Sequence, residues 1–243
     1  MPKFLLFDIG STLMEGLNAP PAKYLAKLLG LPSEVEPKLK HLLMTTEAYS
    51  TVALVRPLID IINSNPNYPY QFPTAALEKV WTNQLFLSKP ILNAIETVEA
   101  AKKAGYTVAF VSDNWRPFVE AFDLFFGDRD ASLDFFSYKL GFVKSKCYYD
   151  VVLNKLQAKS EDCLMIGDSL DSDIQAANDA GIKAIWIPRA GTSLDKQSVM
   201  AHMANMASDG LLYDNDEFNN FVQSSRMHCR LNSLYQLLTC LDS

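Results

Sequence analysis

The strongest constraint on this chain is a series of short apolar runs, each closed by a polar or turn residue and separated by stretches of helical periodicity. Residues 3–9 read KFLLFDI, 106–111 YTVAFV, 163–166 CLMI and 183–187 KAIWI, the last stopped by Pro188. Such runs are the signature of strands covered on both faces, where no polar side is needed. Between them, 91–104 reads as a helix closed by Gly105, 117–122 and 151–156 as helical, and 173–180 as a helix closed by Gly181. Glycine is the usual residue where a helix ends in a left-handed turn. Residues 231–241 read as a final helix. Strands alternating with helices predict an α/β fold, a doubly wound and mostly parallel sheet. In such sheets chemistry collects beyond the carboxyl ends of the strands.

The stretch from Pro20 to Lys89 breaks this rhythm. Apolar residues recur there at spacings of three and four: Tyr24, Leu25, Leu28 and Leu29; Leu39, Leu42 and Leu43; Val52, Val55, Ile59 and Ile62. These predict amphipathic helices interrupted at Pro32, Pro37, Pro66, Pro69 and Pro73, with 63–73 as a loop. The expected organisation is therefore a core strand and loop in 1–13, an all-helical insert in 14–89, and the rest of the core in 90–243. An insert placed directly after the first strand starts from the catalytic edge and is positioned to cap it. Trp81, Tyr68 and Tyr70 lie in this insert, either packing it or lining a substrate pocket. Residues 191–210, rich in Met, Ala and Ser, carry little pattern and are expected to be a surface excursion.

Composition narrows the partners. Twenty-two Lys and Arg stand against 28 Asp and Glu, a formal charge of −6, which argues against a general nucleic-acid binder. No apolar run approaches the ~20 residues needed to cross a bilayer. The opening MPKFLLFD meets an aspartate too early for a signal peptide. Four widely spaced cysteines with no CxxC pattern and three histidines argue against a disulfide framework or a zinc site. The expectation is a cytoplasmic protein acting on a small molecule.

The residues that end the strands carry the functional signal. Strand one ends Asp8-Ile9-Gly10-Ser11-Thr12, strand two Ser112-Asp113-Asn114, and a later strand Gly167-Asp168-Ser169, with Asp173 five residues after Asp168. Lys144 precedes the helix around Val151, with Lys146 as a nearby alternative. Taken singly, Asp8, Ser112 and Asp113 are ordinary turn residues, Lys144 is an ordinary surface lysine, and Asp171 and Asp173 suit a helix start. In this order they resemble the four motifs of the haloacid dehalogenase (HAD) superfamily. The segment 165–189, MIGDSLDSDIQAANDAGIKAIWIPR, is especially similar to the fourth. The resemblance spans roughly 1–13 and 90–190 and implies a Rossmann-like core with a helical cap between the first and second motifs.

The chemistry suits these residue types. A carboxylate such as Asp8 can attack phosphorus and form an aspartyl phosphate, dividing one hard displacement into two. Mg²⁺, a hard cation that takes oxygen ligands, relieves the repulsion between carboxylate and phosphate. The resemblance implies Asp8, Asp168 and the backbone carbonyl of Gly10 as its ligands, with Asp173 and Thr12 supporting them. It implies Lys144, Ser112 and Asp113 as the phosphate-binding set, with Lys144 also holding Asp8 as an anion. The expected activity is that of a Mg²⁺-dependent phosphatase acting on a small phosphorylated metabolite.

One position departs from the pattern. Most phosphatases of this family carry a second aspartate two residues after the nucleophile, to protonate the leaving oxygen and then activate water. Here that residue is Gly10. Glycine retains a carbonyl for a metal, and it also suits a turn requiring positive φ. Three other readings stay open: a hydrolytic 2-haloacid dehalogenase, whose branch is marked by an aromatic residue at position 10, a phosphate-binding protein with impaired catalysis, and a phosphotransferase or mutase.

Overall fold

The computed structural model describes residues 2–64, 73–188, 215–224, 227–231 and 233–241. A six-stranded sheet has the order β5-β4-β1-β6-β7-β8, and a separate two-stranded ribbon pairs β2 with β3. The strands are β1 (Phe4–Phe7), β2 (Met14–Glu15), β3 (Lys89–Pro90), β4 (Thr107–Ser112), β5 (Asp134–Phe136), β6 (Cys163–Gly167), β7 (Lys183–Trp186) and β8 (His228–Arg230). β1 lies between β4 and β6 and runs parallel to both, with Phe7 opposite Phe110 and Ile166. β7 continues the parallel sheet beside β6, and β8 beside β7. The chain thus passes from β1 to one side and later returns to the other. That reversal is the switch point at which open α/β sheets place their ligands. Leu5, Leu6 and Phe7 have no exposed surface, which explains why β1 does not alternate with polar residues.

The chain divides into two compact units. The first comprises Met1–Leu13, Ile91–Phe110 and Ser145–Ser243. Its described helices are α5 (Ala94–Lys103), α8 (Lys146–Leu156), α9 (Ala176–Asp179), α10 (Asn215–Gln223) and α11 (Leu234–Leu241). α5 packs against α11, and α8 against α9. The predicted helix over 173–180 instead begins as a wide π-helical turn, Leu170–Gln175, and becomes α-helical only at Ala176. Such bulges are frequent at functional sites. Gly105 and Gly181 take positive φ after α5 and α9, as expected for helix ends.

The second unit comprises Met14–Pro90 and Val111–Lys144. The insert contributes α1 (Pro21–Leu28), α2 (Glu36–Thr45), α3 (Val52–Asn63) and α4 (Thr74–Leu87), with β2 and β3 at its two ends. It is joined by α6 (Arg116–Phe126), α7 (Ser137–Leu140) and β5. Where the chain leaves and re-enters the core, the Ile91 N–H donates to the Leu13 carbonyl at 2.8 Å. At the start of the insert Gly16 is required by space. A Cβ there would lie 2.5 Å from Gln84 Nε2 and 3.0 Å from Phe118 and Ser88 side-chain atoms. Gln84, itself buried, donates to Ser88 Oγ and accepts from the Trp115 indole N–H. The Arg129 guanidinium pairs with the buried Asp134 at 2.8 Å and with Asp123 at 2.6 Å.

Two details of the insert differ from the sequence reading. Pro37 does not interrupt a helix; it sits in the first turn of α2, where its missing N–H costs nothing. In α3 the buried residues are Leu54, Leu58 and Ile62, whereas Val52 is 77% exposed. The segment VALVRPLIDII is apolar on nearly every side, so spacing alone does not fix which face turns inward. Tyr68, Tyr70, most of the 63–73 loop and the 191–210 excursion lie outside the described residues. Among the described residues, no helix is long and apolar enough to cross a membrane.

Candidate metal and phosphate site

In the first unit, the ends of β1 and β6 build an acidic centre. The Asp8 N–H donates to the Ile166 carbonyl at 2.9 Å, extending the β1–β6 ladder by one step and fixing the backbone of Asp8. The chain then turns: the Ile9 carbonyl accepts from Thr12 N–H at 3.3 Å and from Leu13 N–H at 2.9 Å. The residue in the left-handed region of this turn is Ser11, φ 65°, and not Gly10. The sequence-based alternative of a turn glycine at position 10 is therefore corrected. The bend requires positive φ one residue later, at the cost of strain in a residue with a side chain. A Cβ built on Gly10 meets no atom within 4 Å. Thr12 is buried, and its hydroxyl has no hydrogen-bond partner among the described residues.

Beyond β6, the π-helical turn returns Asp173 towards the strand it follows. Asp173 is fully buried, and its carboxylate accepts from the Ser169 N–H at 2.9 Å. The Asp173 N–H donates to the Ser169 carbonyl at 3.0 Å. Gly167 makes room for this arrangement: a Cβ there would lie 2.4–2.5 Å from the Asp173 side chain. Asp8, Asp168 and Asp173 each present a carboxylate oxygen, and these oxygens lie within 4.8 Å of one another. Like charges at that separation repel by roughly 3–4 kcal/mol per pair at an effective dielectric of about 20. A hard divalent cation, which favours carboxylate oxygens, fits such a donor set. The sequence reading put Asp173 behind the other two carboxylates; the geometry gives it an oxygen in the same cluster.

In the second unit, the loop after β4 carries its own polar network. Ser112 is buried, and its hydroxyl accepts from Asn114 Nδ2 at 2.6 Å. Asn114 is fixed in turn by Ser137, whose Oγ accepts from the Asn114 N–H at 3.1 Å and donates to its carbonyl at 3.3 Å. The Asp113 carboxylate accepts from the Lys144 N–H at 2.8 Å, so it holds the segment that bears the lysine. Lys144 is buried at 8% exposure, whereas Lys146 is exposed and pairs with Asp150 at 2.8 Å. Asn114 and Ser137 were not singled out from sequence. Asn114 reads as a loop residue, and Ser137 is 23 positions away, so only the fold reveals their bond. Trp81 packs edge to face on Trp115, with ring centroids 5.4 Å apart.

Comparison with known proteins bears on the fold. Residues 144–209 match a family profile described as HAD-hydrolase-like. A HAD family hydrolase from Deinococcus radiodurans, solved with bound phosphate and sodium, superimposes with a TM-score of 0.53 at 16% identity, covering 97% of this chain and 93% of that one. The fold is that of the haloacid dehalogenase superfamily. A putative HAD-hydrolase from Bacillus subtilis bound to magnesium gives a TM-score of 0.52 at 19% identity, over 76% of this chain and 88% of that one. A 2-haloacid dehalogenase from Pseudomonas syringae pv. Tomato gives 0.51 at 18% identity, over 85% of this chain and 100% of that one. No curated protein matches the chain in sequence. Structures of this fold thus include one solved with bound phosphate and one described as a 2-haloacid dehalogenase.

Proposed function

We propose that this HAD-fold protein is a Mg²⁺-dependent phosphatase of a small phosphorylated metabolite in the cytoplasm, with Asp8 as nucleophile. The observation that carries the reading is the convergence of Asp8, Asp168 and Asp173 within 4.8 Å. A dehalogenase that attacks carbon has no need of a cation, whereas a phosphatase must bring an anionic nucleophile to an anionic substrate. Asp8 and Asp168 would hold the ion through their side chains and Gly10 through its carbonyl, with Asp173 beside them. When bound, Mg²⁺ lowers the repulsion between carboxylate and phosphoryl oxygens and orients the phosphoryl group.

The chain's own residues then divide the work. An Asp8 oxygen forms a bond to phosphorus as the bond to the leaving oxygen breaks. Water later attacks the aspartyl phosphate, freeing inorganic phosphate and restoring the carboxylate. Lys144 and Ser112 are assigned to the phosphoryl oxygens, where charge develops in the transition state. The burial of Lys144, against the exposure of Lys146, supports choosing it. Asp113 supports Lys144 through its backbone N–H. Because Gly10 supplies no acid, substrates whose leaving group departs without protonation are preferred: aryl, acyl or anomeric phosphates.

The test is a panel of phosphate esters assayed with Mg²⁺, with a chelator, and with Asp8→Asn. Hydrolysis that needs the metal and is lost in the variant is the expected result. Haloacid hydrolysis that survives the chelator would give the dehalogenase reading instead. The missing side chain at Gly10 favours one other reading, a protein that binds phosphate with little turnover. Tight phosphate binding without hydrolysis of any ester would establish it.

A further inference from the structure

We infer that Trp186 is a positioning residue for Asp168, acting through a hydrogen bond from its indole to the Asp168 peptide. This rests on the proposed reading of Asp168 as a cation ligand. β7 places Trp186 directly opposite Gly167 of β6, one residue before Asp168. From there the indole Nε1–H donates to the Asp168 carbonyl at 2.9 Å. The N–H of the same peptide group, that of Ser169, donates to the Asp173 carboxylate at 2.9 Å. One peptide plane is thus held at both ends, and it is the plane from which the Asp168 side chain departs. With the Ile187 N–H holding the preceding peptide through the Gly167 carbonyl, the backbone on both sides of the Asp168 side chain is held.

The indole is itself held. Trp186 is 5% exposed, and the Arg230 guanidinium lies over its ring, 5.5 Å from the centroid. The Ile187 N–H donates to Gly167 and the Leu231 N–H to Trp186, both at 2.9 Å, so the backbone on each side of the ring is knitted to a neighbouring strand. Phenylalanine would fill most of the same volume but supplies no donor. The Asp168 carbonyl would then lose this partner. Partners that orient a metal ligand in this way typically contribute 10–100-fold in metal affinity. The same bond makes Trp186 a reporter, because an ion drawing on Asp168 alters the carbonyl to which the indole donates.

The experiment measures Mg²⁺ binding calorimetrically to the wild type, Trp186→Phe, Asp168→Asn and Ile185→Val. The indole N–H resonance of Trp186 is followed by NMR in parallel. Ile185→Val removes a buried methyl from the same strand without touching the bond, and so reports generic loosening. The expected result is a loss of roughly tenfold or more in affinity for Trp186→Phe, less than twofold for Ile185→Val, and an indole resonance that moves on adding Mg²⁺ to the wild type but not to Asp168→Asn. Equal affinity in Trp186→Phe and wild type, or equal weakening in Ile185→Val, overturns the positioning role and leaves the metal site standing. Should Trp186→Phe not fold, the wild-type resonance decides: movement with Mg²⁺ supports the inference and a fixed position overturns it. A wild type that binds no Mg²⁺ removes the metal reading itself, and the inference with it.

Discussion

Gly10→Asp is the substitution with the most to reveal. A Cβ at position 10 meets no atom within 4 Å, and positive φ falls on Ser11 instead. A Cβ there therefore brings neither clash nor backbone strain. Replacing glycine where the backbone is compatible stabilises by about 0.4–1 kcal/mol, through the loss of unfolded-state freedom. A positioned acid–base typically accelerates proton transfer by ~10²–10⁴-fold, which corresponds to about 3–5 kcal/mol of barrier. That gain belongs to esters whose leaving oxygen must be protonated. The assay compares kcat for an alkyl and an aryl phosphate in the two proteins at saturating Mg²⁺, with melting temperature as the check on folding. The wild type should prefer the aryl ester, and the variant should narrow that preference by raising alkyl turnover by ~10²-fold or more. Equal aryl and alkyl rates in the wild type, or unchanged alkyl turnover in a folded variant, would show that another group already donates the proton.

Three further outcomes follow from the geometry. Gly167→Ala forces a methyl to within 2.5 Å of the Asp173 side chain; it should cost about 1–3 kcal/mol in urea unfolding and weaken Mg²⁺ binding, and a neutral effect on both would contradict the packing described. Lys183 Nζ donates to the carbonyls of Phe221, Val222 and Ser224 at the C-terminal end of α10. Lys183→Met should cost about 1–2 kcal/mol, discounted for partial exposure, and should raise hydrogen exchange in α10 before the rest of the unit. Cys147 is exposed while Cys163, Cys229 and Cys240 are buried, and burial pushes the Cys163 thiol up to about 12. An aromatic disulfide reagent at mildly alkaline pH should therefore release one thiol equivalent quickly from the native protein and the rest only in denaturant. A second fast equivalent would contradict that burial.

The parts of the fold legible in the sequence are those with a long, unambiguous signal. β1, β4, β6 and β7 announce themselves because strands covered on both faces become unbroken apolar runs. Most elements that escaped are short, although α10, nine residues long, escaped as well. β2 and β3 have two residues each, and β5 and β8 three, too few for any period to show. The face of α3 was misjudged because nearly every position in it is apolar. At the site, the aspartates stood out by order and spacing, and the structure brings Asp8, Asp168 and Asp173 together. What spacing did not reveal was the support around them. Trp186 looked like one more apolar residue of a strand, and the bond from its indole to Asp168 exists only because β7 lies beside β6. The same holds for Asn114 and Ser137, joined across a long stretch of chain. The position of positive φ was also misplaced by one residue, since Gly10 invites it and Ser11 adopts it.

The proposed function requires that the Asp8 carboxylate itself attack phosphorus. It is tested most directly by incubating the protein with Mg²⁺ and an acyl phosphate labelled on phosphorus, quenching in acid, and locating the label. The expected product is a hydroxylamine-labile phosphoryl group on the peptide containing Asp8, absent from Asp8→Asn and absent when the metal is chelated. Rapid hydrolysis of the acyl phosphate by Asp8→Asn, or a label carried on any other residue, would contradict it.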